Sequence, residues 1–82
     1  MGYHLRQIEK GTFGEVSKIE EELEELKESL EQNNPIMALC ELSDMYGAIR
    51  GYLEKHHPDI TMKDIETMSD ATKRAFESGS RL

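Results

Sequence analysis

Cysteine, long apolar runs and positive charge are what this chain has least of. Cys40 is the only cysteine, so no disulfide can form within the chain, and a reducing compartment is the simple expectation. No stretch approaches the roughly 20 consecutive apolar residues of a membrane span, and no signal-peptide pattern is present. A soluble, cytoplasmic protein with no membrane partner is expected. Lysine and arginine number 10 against 17 aspartates and glutamates, for a net charge of −7. That balance disfavours nucleic acid or an anionic membrane as the main partner. A phosphate compound would need a cation to reverse the local sign. There is no nucleophilic triad, no Gly-rich phosphate loop and no cysteine–histidine zinc spacing, so those enzyme classes have no foothold. Internal repeats and low-complexity linkers are missing too; a glutamate run is the one compositional bias.

What remains is a short acidic chain patterned for helices. Its 82 residues are 37% hydrophobic and 33% charged. Acidic composition can mean disorder, but the apolar residues recur at helical spacing, which argues for folded helices. One domain spanning 1–82 is expected, all-α, as a short bundle of about four helices. A chain of this size buries little apolar surface by itself, so oligomerisation is expected to complete the bundle.

Met1–Lys10 carries Tyr3, Leu5 and Ile8 among polar residues and reads as a short helix that Gly11 breaks. Thr12 and Glu15 have capping-box spacing, so the next helix is expected from near Phe13 to about Gln32. Asn33-Asn34-Pro35 is a stop and restart: Asn34 can cap, and Pro35 suits the first helical position. A third helix then runs to about Lys55, before His56-His57-Pro58. The two histidines read as solvent-facing groups at a helix end. Thr61 with Asp64 resembles a cap for a last helix over about Met62–Ser78, with Gly79 just beyond it.

Two acidic clusters stand out. At about 100° per residue, Ile19, Leu23, Leu26 and Leu30 fall within an arc of roughly 60°. Glu21, Glu24 and Glu28 then point away from this stripe towards water. Glu22 and Glu25 border it, placed to face a partner helix. Alone, such a glutamate run reads as a solvated face. The following helix changes its weight. Ile36, Leu39, Leu42, Met45, Tyr46, Ile49 and Leu53 form its broad apolar face, and Met37, Cys40, Gly47, Ala48 and Gly51 line the other side. A helix apolar on nearly all sides is expected to be buried on nearly all sides. Glu41 and Asp44 stand three apart among those small residues. Burying both unpaired would cost several kcal/mol each, by order of magnitude, so they call for a cation: arginine or a metal.

Glu21-Glu22-x-x-Glu25 followed by Glu41-x-x-Asp44 on the next helix resembles the signature of MazG-type all-α nucleoside triphosphate pyrophosphohydrolases. Lys18-Ile19 before the acids, and Leu23, Leu26, Leu30, Leu42 and Met45 around them, fit the same pattern. The resemblance covers roughly Phe13 to Leu53. The His4-Leu5 segment and the run from Ala71 to Phe76 look more like the short, phage-encoded members, which would place the protein in a host cytoplasm. The resemblance implies Mg²⁺, with Mn²⁺ as a substitute, held by Glu22, Glu25, Glu41 and Asp44. It implies cleavage of an NTP or dNTP between the α and β phosphates to the monophosphate and pyrophosphate. Glu21, Glu22 and Glu25 would then be catalytic. Lys18, Lys73, Arg74 and Arg81 are the basic candidates for the phosphates, although lysine and arginine late in a helix also complement its dipole. The implied assembly is a homodimer or tetramer. Two alternatives stay open: a non-catalytic helical interaction module, and a degenerate family member that binds metal-nucleotide without turnover.

Overall fold

The computed structural model describes residues 7–77, the Phe76 side chain excepted. Among the described residues the fold is all-α, with three helices and no strand: α1 (Val16–Glu31), α2 (Pro35–His56) and α3 (Met62–Glu77). The expected leading helix falls mostly outside the described residues, and its described part, residues 7–10, is not helical.

α1 starts three residues later than the sequence pattern predicts. Thr12 and Glu15 form a turn rather than a capping box, with Glu15 N–H donating to Thr12 C=O at 3.0 Å. Gly14 occupies that turn at φ +93°, a conformation that glycine adopts without a Cβ penalty. Glu15 stands at the N-cap but makes no side-chain cap bond. Its carboxylate instead reaches across to Lys55 and, at 3.1 Å, to His56 Nε2. Phe13 lays its ring on Gly51, where an added Cβ would come within 2.5 Å of the ring.

The other boundaries lie within a residue of expectation where they fall on described residues. α1 ends in a Schellman motif: Asn34 N–H donates to Ser29 C=O, and Asn33 N–H to Leu30 C=O, both at 3.0 Å. Asn33 supplies the left-handed residue at φ 55°. Asn34 Oδ1 then accepts from Met37 N–H at 3.1 Å, capping α2 with Pro35 at its start. Thr61 and Asp64 form a reciprocal capping box for α3, through Asp64 N–H to Thr61 Oγ1 (3.1 Å) and Thr61 N–H to Asp64 Oδ2 (2.9 Å). Ser78 and Gly79, the expected end of that helix, lie outside the described residues.

α1 and α2 pack as an antiparallel hairpin, and α3 barely touches it. The radius of gyration is 15.0 Å, against roughly 12 Å for a compact chain of this length. The hairpin seam is small-residue and acidic. On α2 the buried residues are Ala38, Glu41, Ala48, Gly51 and Leu53; on α1 they are Glu21, Glu22, Glu28 and Ser29. This corrects the sequence reading of Glu21 and Glu28, expected in water. Glu28 is only 1% exposed. The leucine stripe takes the outward place, with Leu23 and Leu30 exposed. The reason lies in the partner helix. Ala38 and Ala48 present a shallow surface that the Glu22–Glu25–Ser29 side of α1 can approach closely, while Gly51 makes room for the Phe13 ring. No helix among the described residues is long and apolar enough to cross a membrane.

Candidate metal centre

Four carboxylates meet across the α1–α2 seam. Glu22 and Glu25 stand one turn apart on α1, and Glu41 and Asp44 one turn apart on α2. One oxygen from each lies within 4.8 Å of all the others. Burial is graded through the group: Glu22 and Glu41 are 4% and 3% exposed, Glu25 is half-buried, and Asp44 is open to solvent. The cluster is thus closed behind and accessible in front.

Two oxygens at the closed end, Glu22 Oε1 and Glu41 Oε1, are buried without a hydrogen-bond partner. A buried carboxylate oxygen in that position is costly unless it is protonated or meets a cation. Burial, reinforced by the carboxylates of Glu22 and Glu41 and by its hydrogen bonding with Glu41 and Glu21, pushes Glu25 up to about 8. Glu22 is also raised above its ordinary value; burial is the main cause, Asp44 and Glu21 add to it, and Lys18 opposes it. Burial and neighbouring carboxylates thus shift Glu22 and Glu25 towards the protonated form, even with Lys18 beside Glu22.

The donor set fits a hard divalent cation. Mg²⁺ binds oxygen at about 2.1 Å, so two oxygens on opposite sides of one ion lie about 4.2 Å apart. The 4.8 Å spread is a little wider than this. A contraction of about half an ångström, or a water in place of one direct bond, brings the set to the spacing Mg²⁺ prefers. The four residues are those that the sequence selected.

The remaining sequence candidates are placed less uniformly. Glu21 is buried beside the cluster: besides its hydrogen bond with Glu25, its Oε1 accepts Gly11 N–H at 2.9 Å and Lys18 Nζ at 3.0 Å. Burial alone would raise it, but Gly11, Lys18 and Glu25 outweigh that and hold it below its ordinary value. Lys18 also pairs with Glu22 Oε2 at 3.2 Å. Its own desolvation would lower it, but Glu21 and Glu22 more than compensate and keep it firmly charged. Lys73 and Arg74 are exposed on α3, where Lys73 pairs with Glu77 at 3.9 Å. The structure therefore does not gather them with the acids. Arg81 lies outside the described residues. His56 and His57 are exposed at the end of α2, as expected, and His57 is its C-cap.

Sequence reading missed three features. The Gly11 tether to Glu21 joins residues ten apart and leaves no trace in helix spacing. The link from Glu15 to Lys55 and His56 depends on how the hairpin closes. The Lys18 pairings were legible, because Glu21 and Glu22 stand three and four residues beyond it. Comparisons with protein-family models, with curated proteins and with solved structures found no match to this chain.

Proposed function

We propose that this chain is a Mg²⁺-dependent nucleoside triphosphate pyrophosphohydrolase of the MazG type. It would cleave an NTP or dNTP between the α and β phosphates, releasing the monophosphate and pyrophosphate. The observation that carries the reading is the convergence of Glu22, Glu25, Glu41 and Asp44, with unpartnered oxygens of Glu22 and Glu41 buried at its closed end. These are the residues that the motif resemblance assigns to the metal, and they come together from two helices.

In this reading the four acids hold the ion, with Mn²⁺ as an alternative. The ion's chemistry is to neutralise the phosphates, orient them and lower the pKa of an attacking water. Glu22 and Glu41 fix the buried side of the site, and Asp44 and Glu25 face the side that substrate reaches. Glu21, held as an anion by Gly11 and Lys18, is a weaker proton acceptor than an ordinary carboxylate. It serves better in placing its neighbours than as a general base. Of the cationic candidates, Lys18 is the one that stands beside the acids, whereas Lys73 and Arg74 lie exposed on α3. The working form is a cytoplasmic homodimer or tetramer. A second copy would cover the outward leucines, completing the helical bundle.

The exposed apolar face favours a second reading, a non-catalytic helical module that binds another protein. A pyrophosphate-release screen over all canonical NTPs and dNTPs, with and without Mg²⁺, separates the two. Mg²⁺-dependent release from at least one nucleotide supports the enzyme. No release from any of them, by protein that is folded and binds the ion, leaves the interaction module or a family member without turnover.

A further inference from the structure

The acid quartet has a fifth carboxylate at its edge, and an ammonium group already sits there. Lys18 Nζ lies between Glu21 Oε1 (3.0 Å) and Glu22 Oε2 (3.2 Å), with its side chain mostly buried. Glu22 is thus divided between two environments. One oxygen faces Lys18; the other, Oε1, is buried and unpartnered. The same Oε1 of Glu21 also accepts Gly11 N–H at 2.9 Å, which fixes Glu21 as the partner of this lysine.

A carboxylate that shares its oxygens between two cations is the usual bridge of a two-metal site, with ions about 3.5–4 Å apart. Here one of the two cation positions is taken by the lysine. We propose that Lys18 is a resident counter-cation: it neutralises Glu21 and the outer oxygen of Glu22, fills the place of a second divalent ion, and restricts the quartet to one divalent ion. This inference rests on the metal-site reading above. It gives Lys18 a positioning role in place of a direct grip on substrate phosphates, and it makes Glu21 the anchor of that lysine.

The test is a Mn²⁺ titration of the full chain, followed by calorimetry and by the paramagnetic signal of free Mn²⁺. Neither readout needs turnover. Wild type and Lys18→Arg, which keeps the charge, are expected to bind one Mn²⁺ per chain. Lys18→Met should bind two, the first roughly tenfold more tightly because a like charge has left the site. Glu21→Gln should still bind one, several-fold more weakly, because Lys18 then presses its whole charge on Glu22. If Lys18→Met does not fold, the Glu21→Gln result decides. Unchanged affinity in Glu21→Gln, or complete loss of binding, would overturn the proposal. So would two Mn²⁺ per wild-type chain, or one in Lys18→Met at equal or weaker affinity. Failure of wild type to bind any Mn²⁺ is a different result: it removes the metal site itself, and the proposed activity with it.

Discussion

The inner and outer sides of the α1–α2 hairpin invert the usual order of a small helical protein. The seam between the helices encloses Glu22 and Glu41, while the outward surfaces of the same helices leave Leu30, Ile36, Leu39 and Leu42 in the open, Leu39 at 68% exposure. A soluble helix ordinarily buries its leucines and shows its glutamates. Each large side chain left in water forgoes roughly 1.5–3 kcal/mol of burial, and each buried carboxylate without a partner is a further cost. Few small chains tolerate both at once, since total stability is only about 5–15 kcal/mol. The contrast sets two separate features side by side: an inner side whose carboxylates could hold a cation and an outer side that leaves apolar residues exposed, and the two can be tested apart.

The sharpest separation should come from chemistry at the inner side. Removing a ligand can cost several kcal/mol in the transition state, on the order of a thousandfold in rate. Glu22→Gln or Glu25→Gln should therefore lose most pyrophosphate release, whereas Glu24→Gln should change it little. Glu24 pairs with Lys27 at 3.2 Å on an exposed face. Glu28 is unsuited to the same control, because it is 1% exposed and its neutralisation would disturb the core. Equal loss in the Glu22 and Glu24 variants would move the ligand pair to the wrong side of α1.

A charge on the outer side should act on assembly and leave the metal alone. Leu39→Glu would place a carboxylate in any interface that a second copy forms there. Burying it unpaired costs several kcal/mol, enough to weaken association by roughly a hundredfold or more. Sedimentation velocity should show wild type as a dimer or larger at micromolar concentration and the variant shifted towards monomer. A stable, folded wild-type monomer at that concentration would sink the idea that this face is covered by its own copy.

Loading the inner side should raise the melting temperature. Mg²⁺ at a hundred times its Kd adds about 2.7 kcal/mol, which for a chain of this length corresponds to about ten degrees or more. The double variant Glu41→Gln with Asp44→Asn should keep or exceed wild-type stability without metal, because the repulsion is gone, and should lose the metal response. A response that survives in the double variant places the ion elsewhere.

How much of this was legible in the sequence differs between the two sides for a physical reason. Helix ends are local events. Asn34-Pro35 and the Thr61/Asp64 pair announce themselves within a few residues, and the structure uses both. The metal quartet was legible because each pair stands one helical turn apart and the turn between the helices sets them face to face. The burial of Glu21 and Glu28 was not. Helical angle tells which residues share a face, but not which face the partner helix accepts. That choice rests with Ala38 and Ala48 on α2, whose small size lets the acidic side of α1 come close. Likewise, the late start of α1 follows from Gly14 and from the pull of Lys55 and His56 on Glu15, and capping-box spacing is blind to both.

The smallest expected effect is on pH, and it reads the inner side without metal. Glu25 is pushed up to about 8 from an ordinary value of 4.5, mainly by burial. The folded chain therefore keeps a proton there that the unfolded chain has already lost. Stability falls with pH wherever the folded state binds more protons than the unfolded one. The contribution of Glu25 is thus fully present below about 4.5 and is lost as pH rises through about 8. Glu22, also raised, acts in the same direction. Glu21 and Glu15 are lowered, so their contributions are lost only as pH falls below the ordinary carboxylate range, outside this window. Urea unfolding in chelator at pH 5.5 and pH 8.5 should find the protein less stable at the higher value, by a modest amount because Glu25 is half-buried and partly screened. Saturating Mg²⁺ should reverse the trend, since binding requires the deprotonated acids. Glu25→Gln, which fixes the neutral form, should flatten most of the metal-free dependence. A wild type as stable at pH 8.5 as at pH 5.5 without metal would mean that water relieves the inner acids, and the contrast between the hairpin's two sides would then rest on the leucines alone.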